Sequence, residues 1–137
     1  MALHTKGLFV MNGTKVVFDT CAVINLLDRI CDPNSLGITI DELQLFTSII
    51  VRIELLSKRD ITADEELDVL EFLEGLTVIP INEEIEDMAI KLRRSTSLKL
   101  PDSIVAATSI VLDALLLTYD KHLLNLSWPG YKAKAII

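Results

Sequence analysis

Apolar residues along the chain recur with two different periods, and segments of the two kinds alternate. Short apolar runs, such as residues 16–18 and 115–117, are typical of strands covered on both faces. Longer segments between them repeat apolar residues every three or four positions, which predicts helices with one buried side. This alternation predicts an α/β fold of three layers, α/β/α, around a mostly parallel central sheet.

Short segments of strand-like sequence give the expected order of the sheet-forming elements. Residues 38–40 compete with residues 43–46 for the second strand. Pro80 argues that the third strand lies at an edge or stops there, because proline donates no ladder hydrogen bond. The predicted strands cover residues 15–18, 43–46, 78–81, 115–119 and 131–136.

Local signals predict where the helices begin and end. Thr20 is the expected cap of the first helix, and Thr47 or Ser48 of the second, which runs to about residue 58. Residues 62–65 form a capping box of the S/T-x-x-E type, and Gly75 ends that helix. Asn82 caps the fourth helix, and a fifth begins at residues 100–101. The residues expected on the inner sides of the second and third helices are Ile49, Ile50, Ile53, Leu56, Leu67, Leu70 and Leu73.

The length of 137 residues, half of them hydrophobic, predicts one domain over residues 15–137 after an N-terminal extension of residues 1–14. Residues 12–13 and 32–37 carry turn and loop signals. No apolar run approaches the roughly 20 residues of a membrane span, and the apolar N-terminal stretch is too short for a signal peptide. We therefore expect a cytoplasmic protein. The cysteines, Cys21 and Cys31, fit neither a zinc site nor a disulfide scaffold.

The formal charge is 13 − 20 = −7, which argues against a protein that grips a long duplex through a basic face. Aromatic residues make up 5% of the chain, so a stacking platform for single strands is poorly supported. Action on nucleic acid would have to rely on local cations, either bound metal or Lys and Arg side chains. The acidic excess also fits a basic protein partner.

Four acidic residues occupy positions where carboxylates converge in such a fold. Asp19 and Asp120 each follow a predicted strand, and the carboxyl ends of parallel strands open on one edge of the sheet. Asp102, in the first turn of the fifth helix, lies at that edge only if the loop before it lies there too. Glu54 lies on the second helix near its apolar boundary and would have to reach over from it. Each of these aspartates alone is more commonly a capping or turn residue, so the hypothesis depends on their convergence.

Four carboxylates brought together repel one another and raise one another's pKa, and a divalent cation removes that cost. Ligands that are all oxygen, without His or Cys, select Mg²⁺ or Mn²⁺ rather than zinc. Such an ion activates water and neutralises charge on a phosphoryl group, so phosphodiester hydrolysis is the first reaction to consider. The candidate catalytic residues and metal ligands are Asp19, Glu54, Asp102 and Asp120.

Four segments together resemble the PIN domain family, the ribonuclease fold of VapC-type toxins. Residues 15–20 (KVVFDT) resemble its opening strand, and residues 48–56 are similar to its helix with a single Glu. Residues 100–108 (LPDSIVAAT) are similar to its P-D-x-x-I-A-A segment, and residues 117–120 (LTYD) match its T-x-D element. The four occur in the family's order, over residues 15 to about 126.

This resemblance implies a Mg²⁺- or Mn²⁺-dependent endoribonuclease, the toxin of a toxin–antitoxin pair, whose acidic cluster is Asp19, Glu54, Asp102 and Asp120. It also implies an RNA substrate, a homodimer and an antitoxin protein that docks near the site. Two positions depart from the family pattern: Tyr119 stands where the family often has Arg, and Cys21 where Ser or Asn is usual. Arg52, Lys99 and Lys121 are candidate phosphate contacts, but for each taken alone an ordinary surface charge is the favoured interpretation.

Two other functions are compatible with parts of this pattern. One is a PIN-like module that has lost turnover and acts by binding, through a complex with an antitoxin. The other is a phosphoacceptor receiver domain, which also gathers carboxylates around Mg²⁺ at the sheet edge. A receiver requires an adjacent acidic pair after its first strand, and Asp19 stands alone there, which disfavours this alternative.

Overall fold

The structure is a computed structural model that describes residues 14–28 and 43–135. Several sequence-based predictions fall outside these ranges. They concern nearly all of the N-terminal extension with its turn at residues 12–13, the loop at residues 32–37, the competing strand at residues 38–40, and Cys31.

Five parallel strands form the sheet, in the order β3-β2-β1-β4-β5. All five lie in the predicted regions, so the predicted parallel sheet is confirmed. Pro80 directly follows the edge strand β3, where its missing N–H removes no ladder bond. The strands are β1 (Thr14–Phe18), β2 (Leu43–Ser48), β3 (Thr77–Ile79), β4 (Leu115–Leu117) and β5 (Lys132–Lys134).

In the described residues, one or two helices follow each of the first four strands and complete the α/β/α arrangement that the sequence predicts. Within the described ranges, no helix has the length and apolar character needed to span a membrane. The helices are α1 (Thr20–Asp28), α2 (Ile49–Leu56), α3 (Ala63–Glu74), α4 (Glu83–Ser95), α5 (Leu100–Leu112) and α6 (Lys121–Leu124).

The core is built around the central strand β1 and helix α5. Val16, Val17 and Phe18 on β1 are at most 2% exposed, because the strand is paired on both sides and covered on both faces. Residues 103–109 of α5 are all buried, and the helix contacts β1, β2 and β4. Small residues such as Ala106 and Ala107, both 0% exposed, allow this close approach.

The predicted caps are confirmed for three helices and wrong for the first. Ser48 accepts a hydrogen bond from the N–H of Ile50, the box at residues 62–65 is complete, and Asn82 accepts from Ile85. Thr20, however, is the first residue of α1 rather than its cap. Asp19 serves that role: its carboxylate accepts the N–H of Ala22 at 2.8 Å and its carbonyl that of Val23 at 3.1 Å.

The predicted inner sides of α2 and α3 are partly wrong. On α2, Ile53 is 52% exposed, and the buried residues are Val51 and Leu55. On α3, Leu67 is 55% exposed, while Leu73 is buried as predicted. Helix α2 has apolar residues around most of its circumference (IIVRIELL), so periodicity could not fix which side meets the sheet. The observed orientation leaves Glu54 exposed beside the carboxyl edge.

Candidate active site

Asp19 and Asp120 are brought to the same edge of the sheet by two neighbouring strands. Asp19 immediately follows β1, and its N–H donates to the carbonyl of Leu117 at the end of β4, at 3.2 Å. Asp120 lies three residues beyond Leu117. Their convergence at the carboxyl edge was expected from the positions of the two residues after their strands.

Asp19 is the most enclosed of the four acids, with 5% of its surface exposed. Its carboxylate accepts hydrogen bonds from the Thr118 hydroxyl, from the Ala22 N–H at 2.8 Å, and from the Cys21 thiol at 3.1 Å and 3.2 Å. Burial raises the pKa of Asp19 above its ordinary value, and the charge of Asp120 raises it further. The three donors stabilise the ionised form and partly offset that rise in pKa.

Thr118 and Cys21 join two segments that lie nearly one hundred residues apart in sequence. Thr118 is fully buried; its hydroxyl donates to Asp19 and accepts the N–H of Asp120 at 3.0 Å. The sulfur of Cys21 accepts the N–H of Tyr119 at 3.2 Å. The start of α1 is therefore tied to the loop that carries Asp120, so the two acids have fixed relative positions.

Asp120 is also the N-cap of the single-turn helix α6. Its Oδ1 accepts the N–H of His122 at 2.8 Å and that of Leu123 at 3.2 Å. The side chain of His122 is exposed. The capping bonds orient the Asp120 carboxylate at the mouth of the site.

The charges of the other three acids all act on Asp102. It lies half-buried in the first turn of α5, after Pro101. Burial raises its pKa, and the charges of Asp120, Asp19 and Glu54, in that order, raise it further. The charge of Lys99 acts in the opposite direction, which places this exposed lysine within the electrostatic reach of Asp102.

Glu54 reaches the cluster from α2 on the other side of Asp19. Its Oε1 accepts a hydrogen bond from the Thr20 hydroxyl at 2.5 Å. Thr20 therefore orients this acid, a role that sequence reasoning missed because it assigned the threonine to the helix cap. Thr20, the residue next to Asp19 in sequence, thus holds Glu54 in place.

Tyr131 borders the acids and was not singled out from the sequence. Its hydroxyl donates to the Leu123 carbonyl at 2.7 Å, which fastens the approach to β5 onto α6. Burial raises the pKa of Tyr131, and the charges of Asp19, Asp120 and Asp102 raise it further. A lone tyrosine after a turn carries no sequence signal for this position.

The donor chemistry of the cluster fits a hard divalent cation. The four predicted acids offer only oxygen, and a cation near Asp102 would relieve the repulsion that raises its pKa. Within residues 14–28 and 43–135, however, no three His, Cys, Asp or Glu side chains stand close enough together to enclose an ion. The charges of the acids affect one another, but in the described residues their side chains do not surround a single point.

The family assignment rests on a sequence comparison that covers most of the chain. The profile of the PIN domain family matches residues 16–129, a span that includes all four acids. This chain belongs to the PIN domain family. A search of curated proteins, in contrast, finds no significant match.

Solved structures share the PIN fold of this chain. It is similar to VapBC2 from Rickettsia felis bound to a promoter DNA fragment, with a TM-score of 0.76 and 19% identity over 89% of this chain and 98% of the other. It is similar to DNA-bound VapBC from Salmonella typhimurium, with a TM-score of 0.69 and 16% identity over 90% and 99%. It is also similar to a toxin–antitoxin complex from Klebsiella pneumoniae, with a TM-score of 0.63 and 24% identity over 84% of this chain and 93% of the other. At these identities, the likeness establishes the fold.

Proposed function

We propose that this PIN domain protein is a Mg²⁺- or Mn²⁺-dependent endoribonuclease and the toxin of a toxin–antitoxin pair. The observation that carries the proposal is the sheet edge at which the Thr118 hydroxyl joins the Asp19 carboxylate to the N–H of Asp120. Burial, followed by the charges of Asp120, Asp19 and Glu54, raises the pKa of Asp102 at the same site. Such repulsion is unfavourable for an isolated protein and is typical of functional sites. In this proposal Asp19, Glu54, Asp102 and Asp120 are the metal ligands and catalytic acids.

The chain's own residues have separable tasks in the proposed reaction. The chemistry that a bound divalent ion supplies is activation of water and neutralisation of phosphoryl charge. Thr118 and Cys21 donate hydrogen bonds that orient Asp19 and favour its ionised form against the opposing effect of burial. Lys99, exposed and close enough to affect Asp102, is suited to contact an RNA phosphate. Tyr119 provides no guanidinium, so Lys99 is the cation we assign to substrate binding.

The proposed partner is an antitoxin protein, and the support for it comes from the similar structures. Those from Rickettsia felis and Salmonella typhimurium are VapBC assemblies, and the one from Klebsiella pneumoniae is a toxin–antitoxin complex. The net charge of −7 favours a partner with a basic surface. We further propose that the protein acts in the cytoplasm as a homodimer.

The direct test is cleavage of a mixed RNA substrate by purified protein in Mn²⁺, with and without a chelator. Asp19→Asn and Asp102→Asn preserve side-chain shape and remove one proposed ligand each, and we expect each to reduce the cleavage rate at least about 100-fold. Asp113→Asn is the matched control, since Asp113 is exposed and its left-handed backbone (φ 54°) accommodates asparagine. Equal cleavage by the parent and both site variants would refute the assignment.

A second function, a binding module without turnover, is favoured by one observation. As the side chains stand, no three candidate ligands in the described residues enclose an ion. Titration calorimetry with Mn²⁺ separates the two proposals. A nuclease should bind Mn²⁺ and lose that binding in Asp102→Asn, whereas a module without turnover should show little affinity in either protein.

A further inference from the structure

The loop that carries Asp120 is attached to β5 at both of its ends. At its beginning, the N–H of Thr118 donates to the carbonyl of Lys134 at 3.1 Å. At its far end, the hydroxyl of Tyr131 donates to the carbonyl of Leu123 on α6 at 2.7 Å. Because β5 is itself paired with β4, these two bonds hold the loop and α6 against the sheet. The position of Asp120, between the two attachment points, therefore depends on β5.

Leu123 connects Tyr131 to the Asp120 carboxylate. Its N–H donates to Oδ1 of Asp120 at 3.2 Å, while its carbonyl accepts the Tyr131 hydroxyl. Its side chain is 1% exposed and belongs to the hydrophobic core, so this residue has little freedom to move. A continuous path of hydrogen bonds thus runs from the start of β5, through the backbone of one buried residue, to a proposed metal ligand.

Helix α6 needs support from outside because it is a single turn. An isolated helical turn is unstable, since its few hydrogen bonds do not offset the backbone entropy lost in forming it. The Leu123 carbonyl lies at the carboxyl end of α6, where carbonyl groups lack good partners within the helix. The bond from Tyr131 is 2.7 Å, whereas the N–H of Leu126 lies 3.4 Å from the same carbonyl. The phenol therefore helps to hold α6 in its helical form.

A tight turn determines where Tyr131 lies. Its N–H donates to the carbonyl of Trp128 at 3.0 Å and closes a turn over residues 128–131. Pro129 occupies the second position and Gly130 the third, with φ 81°, which is the arrangement of a type II turn. Proline fixes its own φ, and glycine adopts a positive φ without steric cost, so few other conformations compete. The turn thus brings Tyr131 to α6 with little conformational freedom.

We propose that Tyr131 is a positioning residue for Asp120, acting through α6. Its hydroxyl holds the Leu123 carbonyl, and the N–H of the same leucine holds Oδ1 of the Asp120 carboxylate. Hydrogen bonds to this carboxylate from the described residues reach only Oδ1, from Leu123 and from His122 at 2.8 Å, which leaves Oδ2 available to a divalent ion. The functional consequence rests on the proposed nuclease: weaker support of α6 lowers the affinity of the site for Mn²⁺.

Native-state hydrogen exchange of the metal-free, full-length protein tests the positioning itself. Tyr131→Phe removes only the hydroxyl. We expect the amides of His122 and Leu123, the two donors to Asp120, to exchange about fivefold faster, the effect of losing one hydrogen bond. The amide of Ala22 at the start of α1 should exchange as in the parent. Unchanged exchange at His122 and Leu123 would overturn the proposal, whether or not the protein binds metal.

Titration calorimetry with Mn²⁺ tests the functional consequence. We expect Tyr131→Phe to raise the dissociation constant about fivefold. Ser109→Ala is the matched control, because it removes a buried hydroxyl that donates to a backbone carbonyl, that of Ala106, at 2.8 Å inside α5. It should alter neither Mn²⁺ affinity nor exchange at His122 and Leu123. Equal weakening of Mn²⁺ binding in both variants would reduce Tyr131 to a general contribution to stability and overturn its positioning role.

Substitutions in the turn move Tyr131 and leave its phenol intact. No described atom lies within 4 Å of a Cβ added at Gly130, so a new side chain there acts through the backbone angle alone. Asparagine accepts a positive φ more readily than alanine. We therefore expect Gly130→Ala to speed exchange at Leu123 and to weaken Mn²⁺ binding more than Gly130→Asn does. The reverse order, or no effect of either variant, would contradict the role of the turn.

These measurements separate the positioning of Asp120 from the proposed function. A parent that binds no Mn²⁺ refutes the nuclease proposal, and faster exchange in Tyr131→Phe then still supports the positioning. Faster exchange with unchanged Mn²⁺ affinity overturns the functional consequence, because the support of α6 would then not govern metal binding.

Discussion

The thiol of Cys21 lies 3.1 Å and 3.2 Å from the two carboxylate oxygens of Asp19, and the same sulfur accepts the N–H of Tyr119. A single side chain therefore contacts the most buried acid of the site and the loop that leads to Asp120. Burial, followed by the neighbouring Asp19 carboxylate, raises the pKa of Cys21. The thiol accordingly remains protonated, and a protonated thiol is the form that can donate to Asp19.

We expect Cys21→Ser to retain the function of the site and Cys21→Ala to weaken it. Serine supplies a donor and an acceptor in nearly the same place, whereas alanine removes both. Loss of these bonds should lower the free energy of unfolding by about 1 kcal/mol. It should also reduce Mn²⁺ affinity, because Asp19 is then held by fewer donors.

Calorimetry with Mn²⁺ and chemical denaturation of the metal-free protein measure the two effects of Cys21→Ala separately. Ser127→Ala, at an exposed position, is the control and should change neither quantity. If Cys21→Ala bound Mn²⁺ as tightly as Cys21→Ser, the thiol would have no part in positioning Asp19.

Thr118→Val tests the hydroxyl that bridges Asp19 and Asp120. The change is isosteric, but it leaves the Asp120 N–H and one Asp19 oxygen without the buried hydroxyl that now serves both. We expect a loss of about 1–3 kcal/mol in the free energy of unfolding, together with weaker Mn²⁺ binding. Thr118→Ser keeps the hydroxyl and should bind Mn²⁺ like the parent.

Thr108→Val provides a control of the same chemistry for Thr118→Val. Thr108 is 1% exposed, and its hydroxyl donates to the Ile104 carbonyl within α5. Its replacement removes a buried hydroxyl that contacts no site acid, so stability should change while Mn²⁺ affinity does not. Equal losses of Mn²⁺ affinity in both valine variants would show that Thr118 acts only through general stability.

The raised pKa of Asp102 predicts how stability depends on pH in the absence of metal. A carboxyl whose pKa is higher in the folded state than its unfolded value of 3.8 binds more protons when folded. Its contribution to stability is therefore fully present below pH 3.8 and is lost as pH rises through the raised folded pKa. Asp102→Asn has no charge to lose or gain, so it should be more stable than the metal-free parent above that range.

Denaturant unfolding from pH 4 to pH 8 in the presence of a chelator measures this difference directly. The parent and the variant are compared at each pH, because other acids change the stability in the opposite direction as pH rises. Glu65 is one of them, since Lys58 lowers its pKa. Saturating Mn²⁺ should reverse the order of stability, since it stabilises only a protein that binds it. An Asp102→Asn protein that is less stable than the parent at pH 7 without metal would contradict the expected repulsion.

Sequence reasoning identified features that depend on local signals. Ser48, Asn82 and the box at residues 62–65 cap their helices because a capping residue acts within three positions of itself. The shared edge of Asp19 and Asp120 could be predicted for a related reason. Asp19 and Asp120 follow strands, and strand ends are local features whose common edge is fixed by the parallel topology.

What the sequence could not provide are contacts between distant segments. The bond between Thr118 and Asp19 spans 99 residues, and that between Thr20 and Glu54 spans 34. These contacts depend on how far each helix rotates against the sheet, and the evenly apolar α2 carries no signal for its rotation. Tyr131 reaches the acids through the same kind of tertiary packing.

The capping box of α3 lies outside the candidate site, so we expect its loss to change stability but neither metal binding nor cleavage. The Thr62 hydroxyl accepts the Glu65 N–H at 3.1 Å, and the Glu65 carboxylate accepts the Thr62 N–H at 3.0 Å. Thr62→Ala should therefore lower the free energy of unfolding by about 1 kcal/mol, measured by denaturation. Because α3 carries none of the four acids, Mn²⁺ binding and RNA cleavage should match the parent. A loss of either would mean that α3 is coupled to the site through α2, which it contacts.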